Sequence, residues 1–209
     1  MMTFLEYVAQ DLLKKYGTDM SDVAVVFPNK RASLFLNQAL ARMAGHPLWS
    51  PAYVTISDFF RQHSGLTVAD PIKSICDLYK TYVEVTGNVG ETLDQFYGWG
   101  QLLLADFDDI DKNLADARLI FSNISNLREL DDISYLNDEQ KAELHRFFAN
   151  FDDKPEGIRE RFITLWDRLN DIYNRFREKL RSQELAYEGM LYRDVAEQAG
   201  IQTRYQHYA

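Results

Sequence analysis

The run Asp22-Val-Ala-Val-Val-Phe27, closed by Pro28, constrains the fold of this 209-residue chain more than any other stretch. A short apolar run rich in β-branched residues is typical of a strand buried on both faces, as in a parallel sheet. Such a strand needs neighbours, and the sequence offers at most one more, a short extended piece within residues 49–56. We therefore expect either that this α/β part packs against the helical remainder of the chain or that strands from elsewhere complete its sheet.

Helical spacing of apolar residues dominates the rest of the chain. Ser57 is the expected N-cap of a helix that follows the second strand. The other helices are expected over residues 3–16, 32–44, 70–87, 92–110, 114–121, 124–130, 137–150, 156–183 and 187–199. The helix over 156–183 carries a continuous apolar stripe, and Ile72 and Leu102 are expected to face inward in their own helices. The fold class is therefore α/β and predominantly helical, with an α/β part at residues 1–65 and a helical subdomain at residues 66–209.

Composition excludes several classes of protein. A single cysteine, Cys76, excludes an internal disulfide framework and a multi-cysteine metal site. The apolar stretches fall short of the roughly 20 residues that cross a bilayer, and the N-terminus lacks the apolar core of a signal peptide. We therefore expect a cytoplasmic protein with no membrane partner. Residues 100–156 form an acidic block, which is either a set of solvated helix faces or a surface that repels nucleic acid or docks a basic partner.

Patterns for catalysis or metal binding are weak. None of the ten glycines begins a GxxxxGK[ST] loop, so the lysine and amide cradle for a nucleoside triphosphate are missing. The acidic cluster at residues 106–111 offers carboxylates to magnesium, but such residues are also common at a solvated helix end. Asp70-Pro-Ile-Lys73 lacks the strands that a nuclease motif of this kind requires. We therefore expect no cofactor and no metal, and no enzymatic activity of this chain on its own.

The turn Asn29-Lys30-Arg31 is the most informative feature, because it leads from the buried strand directly into a helix. Ligands of α/β sheets bind at the carboxyl ends of the strands. A helix N-terminus with two cations beside it suits a phosphate group. The alternative is that Asn29 simply caps the helix.

A second stretch, Thr55-Ile-Ser-Asp-Phe-Phe60, repeats this arrangement about 26 residues later. Its hydroxyl groups, on Thr55 and Ser57, are expected to face phosphate, and Phe59 is expected to face a base. Contacts of these two kinds hold single strands without sequence preference. The alternative is that Ser57 caps a helix and that the two phenylalanines belong to the core.

These stretches resemble conserved motifs of superfamily 1 helicases. Val25-Val-Phe-Pro-Asn-Lys-Arg-Ala32 is similar to the motif that contacts single-stranded DNA after the phosphate loop, and residues 55–60 are similar to the next motif. Leu185-Ala-Tyr-Glu-Gly-Met-Leu191 resembles the segment that follows the helical insertion of that family. The order of these stretches along the chain, together with Phe96-Tyr-Gly-Trp-Gly-Gln-Leu-Leu103, is similar to that in AddB-like subunits of ATP-dependent helicase–nucleases. Those subunits are PD-(D/E)XK nuclease family proteins with a degenerate helicase module.

The resemblance implies a fragment of a P-loop-like parallel sheet at residues 1–65 and a large helical insertion at residues 66–209. The sequence departs from the family because it lacks a phosphate loop before Val25 and an Asp-Glu pair after the helical region. The resemblance implies that this chain is an N-terminal piece of a larger protein. That larger protein would be an exonuclease or helicase component, with its nuclease domain beyond residue 209.

The function expected from the resemblance is that of a non-catalytic module in DNA recombination and repair. The module would guide or hold a single-stranded or unwinding DNA strand, or brace a motor helicase–nuclease subunit, alongside the remaining domains of the same protein. The expected DNA-binding residues are Asn29, Lys30, Arg31, Thr55, Ser57 and Phe59. The alternative is a structural or protein–protein interaction domain that makes no contact with nucleic acid.

Overall fold

A computed structural model describes residues 2–87, 92–125, 155–200 and 203–209 of the chain. The helix expected over 137–150 and most of the one over 124–130 lie outside the described residues. The chain forms two compact units, one of residues 1–64 with 197–209 and one of residues 65–196. Residues 197–209 are predicted from the sequence to belong to the helical part. In the structure they belong with the α/β unit, because they supply one of its strands.

Helices make up most of the described residues, and all strand pairs are parallel. The helices are α1 (Phe4–Tyr16), α2 (Arg31–Ala44), α3 (Ile56–His63), α4 (Pro71–Thr86), α5 (Leu93–Lys112), α6 (Ala117–Ser125), α7 (Pro155–Arg181) and α8 (Glu188–Ala196). The strands are β1 (Val23–Phe27), β2 (Ala52–Thr55), β3 (Thr67–Val68), β4 (Leu185–Ala186) and β5 (His207–Tyr208). The expected α/β and mainly helical class is confirmed. No helix of the described residues has the length and apolar character to cross a membrane.

The α/β unit is built on a three-stranded parallel sheet in the order β2-β1-β5. Its third strand comes from the C-terminus, so the expectation of at most two strands is wrong. The backbone N–H of Val26 donates to the carbonyl of Ala209 at 2.8 Å, and the N–H of Ala209 donates to the carbonyl of Ala24 at 2.9 Å. This chain therefore supplies neighbours on both sides of β1.

Alternation along β1 divides the two faces of this sheet. Val23, Val25 and Phe27 are buried in a cluster with apolar residues of α1 and α2. On the opposite face lies the short helix α3, which buries none of its residues. One face of the sheet thus packs on α1 and α2 and carries the core cluster of the unit.

The helical unit begins with β3, which pairs in parallel with β4, so that Thr67 lies opposite Leu185. Proline opens α4 as predicted, and the Asp70 carboxylate accepts hydrogen bonds from the N–H groups of the first turn, at 2.9 Å from that of Ile72. The side chains of Ile72 and Leu102 are exposed, so the expectation that both face inward is wrong. Buried residues of α5 instead recur as Phe96, Trp99, Leu103, Phe107 and Ile110. The stripe predicted for α7 is confirmed over 169–180, where Leu169, Ile172, Tyr173, Phe176 and Leu180 are buried.

Candidate nucleic-acid interface

The two stretches singled out in the sequence lie side by side. Strands β1 and β2 are parallel neighbours, and Phe27 at the end of one lies opposite Thr55 at the end of the other. Each strand continues within a few residues into a helix, α2 or α3. We call Asn29, Lys30, Arg31, Thr55, Ser57 and Asp58 the carboxyl-edge site, because these residues follow the carboxyl ends of the two strands. This is the edge of a parallel sheet at which α/β proteins bind ligands.

The turn before α2 is held by short-range hydrogen bonds. The Asn29 side-chain oxygen accepts from the backbone N–H of Arg31 at 3.1 Å. The Ser33 hydroxyl donates to the carbonyl of Lys30 at 2.6 Å. Lys30 is the N-cap residue of α2, and both cationic side chains of the turn are exposed. The local bonds therefore fix the backbone and leave Lys30 and Arg31 exposed at a helix N-terminus.

The second junction differs from the sequence prediction in its capping residue. Thr55 keeps an extended backbone, and its hydroxyl oxygen accepts from the N–H of Asp58 at 3.0 Å. Thr55 is therefore the N-cap of α3, and the prediction that Ser57 caps this helix is wrong. Ser57 lies one residue inside the helix. Because the Thr55 oxygen already binds a backbone N–H, its hydroxyl group has less capacity left for an outside ligand.

An ion pair joins the two junctions. The Lys30 ammonium lies 3.5 Å from a carboxylate oxygen of Asp58, and their side chains are 81% and 35% exposed. The hydrogen bond with Thr55 and the charge of Lys30 hold the pKa of Asp58 below its usual value. An exposed pair of this kind contributes little to stability. It does show that the Lys30 side chain extends toward the β2–α3 junction, along the edge where a ligand would bind.

The ring of Phe59 is engaged by other rings. It lies 4.4 Å from the imidazole of His63, 5.4 Å from the ring of Tyr208 and 5.7 Å from that of Phe60, measured between centroids. Tyr208 belongs to β5, so Phe59 holds the C-terminal strand against α3. Phe59 is half-buried in this cluster, so its ring already packs against other rings of the same unit.

The carboxylates of the acidic cluster at residues 106–111 contact different partners. Asp108 forms an ion pair with Lys112 at 2.7 Å and accepts from the N–H of Gly189 at 2.5 Å. Asp111 is fully buried and accepts hydrogen bonds from the hydroxyl groups of Tyr173 and Tyr187. The interpretation of this cluster as a solvated helix end is therefore wrong at Asp111. No three His, Cys, Asp or Glu side chains are arranged to hold a metal ion within the part of the chain that the structure describes.

Two residues near the carboxyl-edge site were not found by sequence reasoning. Asp58 lies three positions after Thr55, in the spacing of a helix-capping motif, and that spacing was the available signal. Tyr208 gave no usable signal, because a two-residue strand has no periodicity to detect.

Comparison of this chain with protein-family models, curated proteins and solved structures found no match.

Proposed function

We propose that the chain is a non-catalytic module that holds or guides a single strand of DNA at the carboxyl-edge site, as part of a recombination and repair helicase–nuclease. The observation that carries this proposal is the Lys30–Asp58 contact across two parallel strand ends. It brings together the two stretches that resemble the strand-contacting motifs of superfamily 1 helicases. The P-loop-like origin of the sheet is part of the same proposal.

Charge and backbone geometry support phosphate as the ligand group. Two exposed cations flank the N-terminus of the 14-residue helix α2, where free N–H groups and the helix dipole favour an anion. The backbone phosphates of a single strand supply such anions at regular spacing, and binding to them is sequence-independent. If the module also braces a protein partner, that partner is the motor subunit of the same assembly.

Binding of a fluorescently labelled oligodeoxythymidine, followed by anisotropy at low salt, tests the proposal. Replacing Lys30 and Arg31 together by alanine should weaken binding by at least about fivefold, because two phosphate contacts are lost. The matched control replaces Lys14 and Lys15, two exposed cations in the last turn of α1, and should leave the affinity nearly unchanged. Equal losses in the two double variants would contradict a specific site.

A second candidate function is a protein–protein interaction domain, and a groove in the α/β unit favours it. The groove, about 380 Å³ in volume, lies between α1 and α2 and is lined by Phe4, Leu5, Phe35 and Ala39 among others. Phe4 and Phe35 are 78% and 62% exposed. Exposed apolar surface of this kind is typical of docking sites. Absent or salt-insensitive DNA binding, with strong binding of a motor subunit, would favour this function.

A further inference from the structure

The Asp58 carboxylate occupies a distinctive position in the carboxyl-edge site, because it is an anion placed where the proposed ligand would bring another. Its oxygen lies 3.5 Å from the Lys30 ammonium, on the neighbouring strand–helix junction. A phosphate that approached Lys30 would meet the same ammonium and, within a few ångströms, a charge of its own sign. Two like charges at about 4 Å repel measurably even in water.

The two partners of this pair differ in how firmly they are held. Asp58 lies in the first turn of α3, and its backbone N–H donates to the Thr55 hydroxyl oxygen at 3.0 Å. The Asp58 carboxylate is also hydrogen-bonded to the Thr55 side chain and is favoured by the positive end of the helix dipole. Lys30 has a long side chain that is 81% exposed. Lys30 can therefore turn toward a ligand, whereas Asp58 stays in place.

We propose that Asp58 is an internal competitor that occupies Lys30 in the free protein and that a DNA phosphate must displace it. This inference rests on the proposed function, and it names Asp58 as the residue that limits the affinity of the site. When a phosphate binds Lys30, the ammonium exchanges its carboxylate contact for a phosphate contact, so the net gain in binding affinity is small. Weak binding with fast release is more suitable for a surface along which a strand slides than for a surface that anchors a strand.

The test is the affinity of Asp58→Asn for labelled oligodeoxythymidine at low salt. Freeing the Lys30 ammonium from this carboxylate, a charge pair separated by about 4 Å in water, should tighten binding by roughly fivefold. Asp11→Asn is the matched control, because Asp11 also pairs with a lysine, Lys15, at 2.7 Å and its loss makes the same change in net charge. We expect the control to tighten binding by less than about twofold. Circular dichroism of both variants confirms that the helices remain.

A double-mutant cycle identifies Lys30 as the residue through which Asp58 acts. In a Lys30→Ala background, Asp58→Asn should give no more gain than Asp11→Asn, because no ammonium is left to release. Equal gains for Asp58→Asn and Asp11→Asn in the wild-type background would overturn the inference while the effect of Lys30→Ala upheld the proposed function. If neither wild type nor Asp58→Asn binds the oligonucleotide, and Lys30→Ala changes nothing, the proposed function and the inference both fail.

Discussion

The two units of this chain differ in where a distinctive charged group lies. The helical unit buries a charged cluster, in which Asp111 is fully buried among Tyr173, Tyr187 and Arg193. The α/β unit leaves large apolar and cationic side chains exposed, among them Phe4, Lys30, Arg31, Leu34, Phe35 and Trp49. The Asp111 carboxylate therefore finds its partners inside the helical unit, whereas the α/β unit presents cationic groups that an outside ligand can contact. We therefore expect the largest effects on stability in the helical unit and, under the proposed function, the effects on binding in the α/β unit.

Removing the buried carboxylate should have the largest effect on stability. In Asp111→Ala, the tyrosine hydroxyl groups and the nearby guanidinium of Arg193 lose their common acceptor inside the helical unit. We expect the free energy of unfolding to fall by about 3–5 kcal/mol, as is typical of breaking one side of a buried ion pair. Urea denaturation measures the change. Asp109→Ala is the control, because Asp109 is exposed on the same helix and its loss should cost under about 0.5 kcal/mol. Similar losses in the two variants would mean that Asp111 does not organise the core.

Alkaline pH should destabilise the helical unit through the same cluster. Burial and the Asp111 carboxylate raise the pKa of Tyr173 and Tyr187 above the ordinary tyrosine value of about 10. Below that pH both the folded and the unfolded chain keep these protons, and above it the unfolded chain alone releases them. The free energy of unfolding should therefore fall above pH 10, by about 1.4 kcal/mol per pH unit for each tyrosine.

Urea denaturation between pH 9 and pH 11 measures this slope. Tyr187→Phe removes one of the two titrating groups, so the slope contributed by the pair should be halved. An unchanged slope in that variant would refute the assignment of the alkaline loss to this cluster.

A close helix crossing provides a smaller, steric test. A Cβ atom added at Gly189 of α8 would overlap the backbone carbonyl oxygen of Asp108 on α5. Gly189→Ala should therefore cost about 1–3 kcal/mol, the usual penalty of overpacking. Gly98 of α5 has open space around its Cβ position, so Gly98→Ala should instead stabilise the helix by about 0.5–1 kcal/mol. Loss of stability in both variants would show that the crossing is not the cause.

The smallest stability change is expected in the α/β unit. Phe35 is 62% exposed beside the groove between α1 and α2. Phe35→Ala should change the free energy of unfolding by less than about 0.5 kcal/mol, because little apolar area is buried there. Urea denaturation is again the measurement. A loss above about 1.5 kcal/mol would place Phe35 in the core and weaken the contrast between the units.

Local signals in the sequence were enough to predict much of the fold. Val23–Phe27 formed the predicted strand because a β-branched run closed by proline has few other solutions. The start of α4 was predicted because Asp70 and Pro71 act on their own turn. The adjacency of residues 29–31 and 55–57 was not predicted from the sequence; it arises because β1 and β2 pair in parallel and their helices begin at the same edge.

Features chosen by tertiary contacts could not be predicted in the same way. His207 and Tyr208 form a strand only because β1 offers them hydrogen-bonding groups, and no local pattern distinguishes them. Asp111 was expected at a solvated helix end because acidic residues are rarely buried. Its place four residues after Phe107, in line with the buried stripe of α5, was the signal that would have corrected this expectation.

The salt dependence of single-strand binding tests the central claim most directly. The slope of log Kd against log salt concentration counts the phosphates that a protein neutralises, at about 0.7 per contact for a single strand. The account predicts that replacing Lys30 and Arg31 by alanine lowers the magnitude of this slope by about 1.4, while the Lys14 and Lys15 control keeps the wild-type slope. A slope that is the same in all three proteins would contradict the claim that the carboxyl-edge site holds DNA.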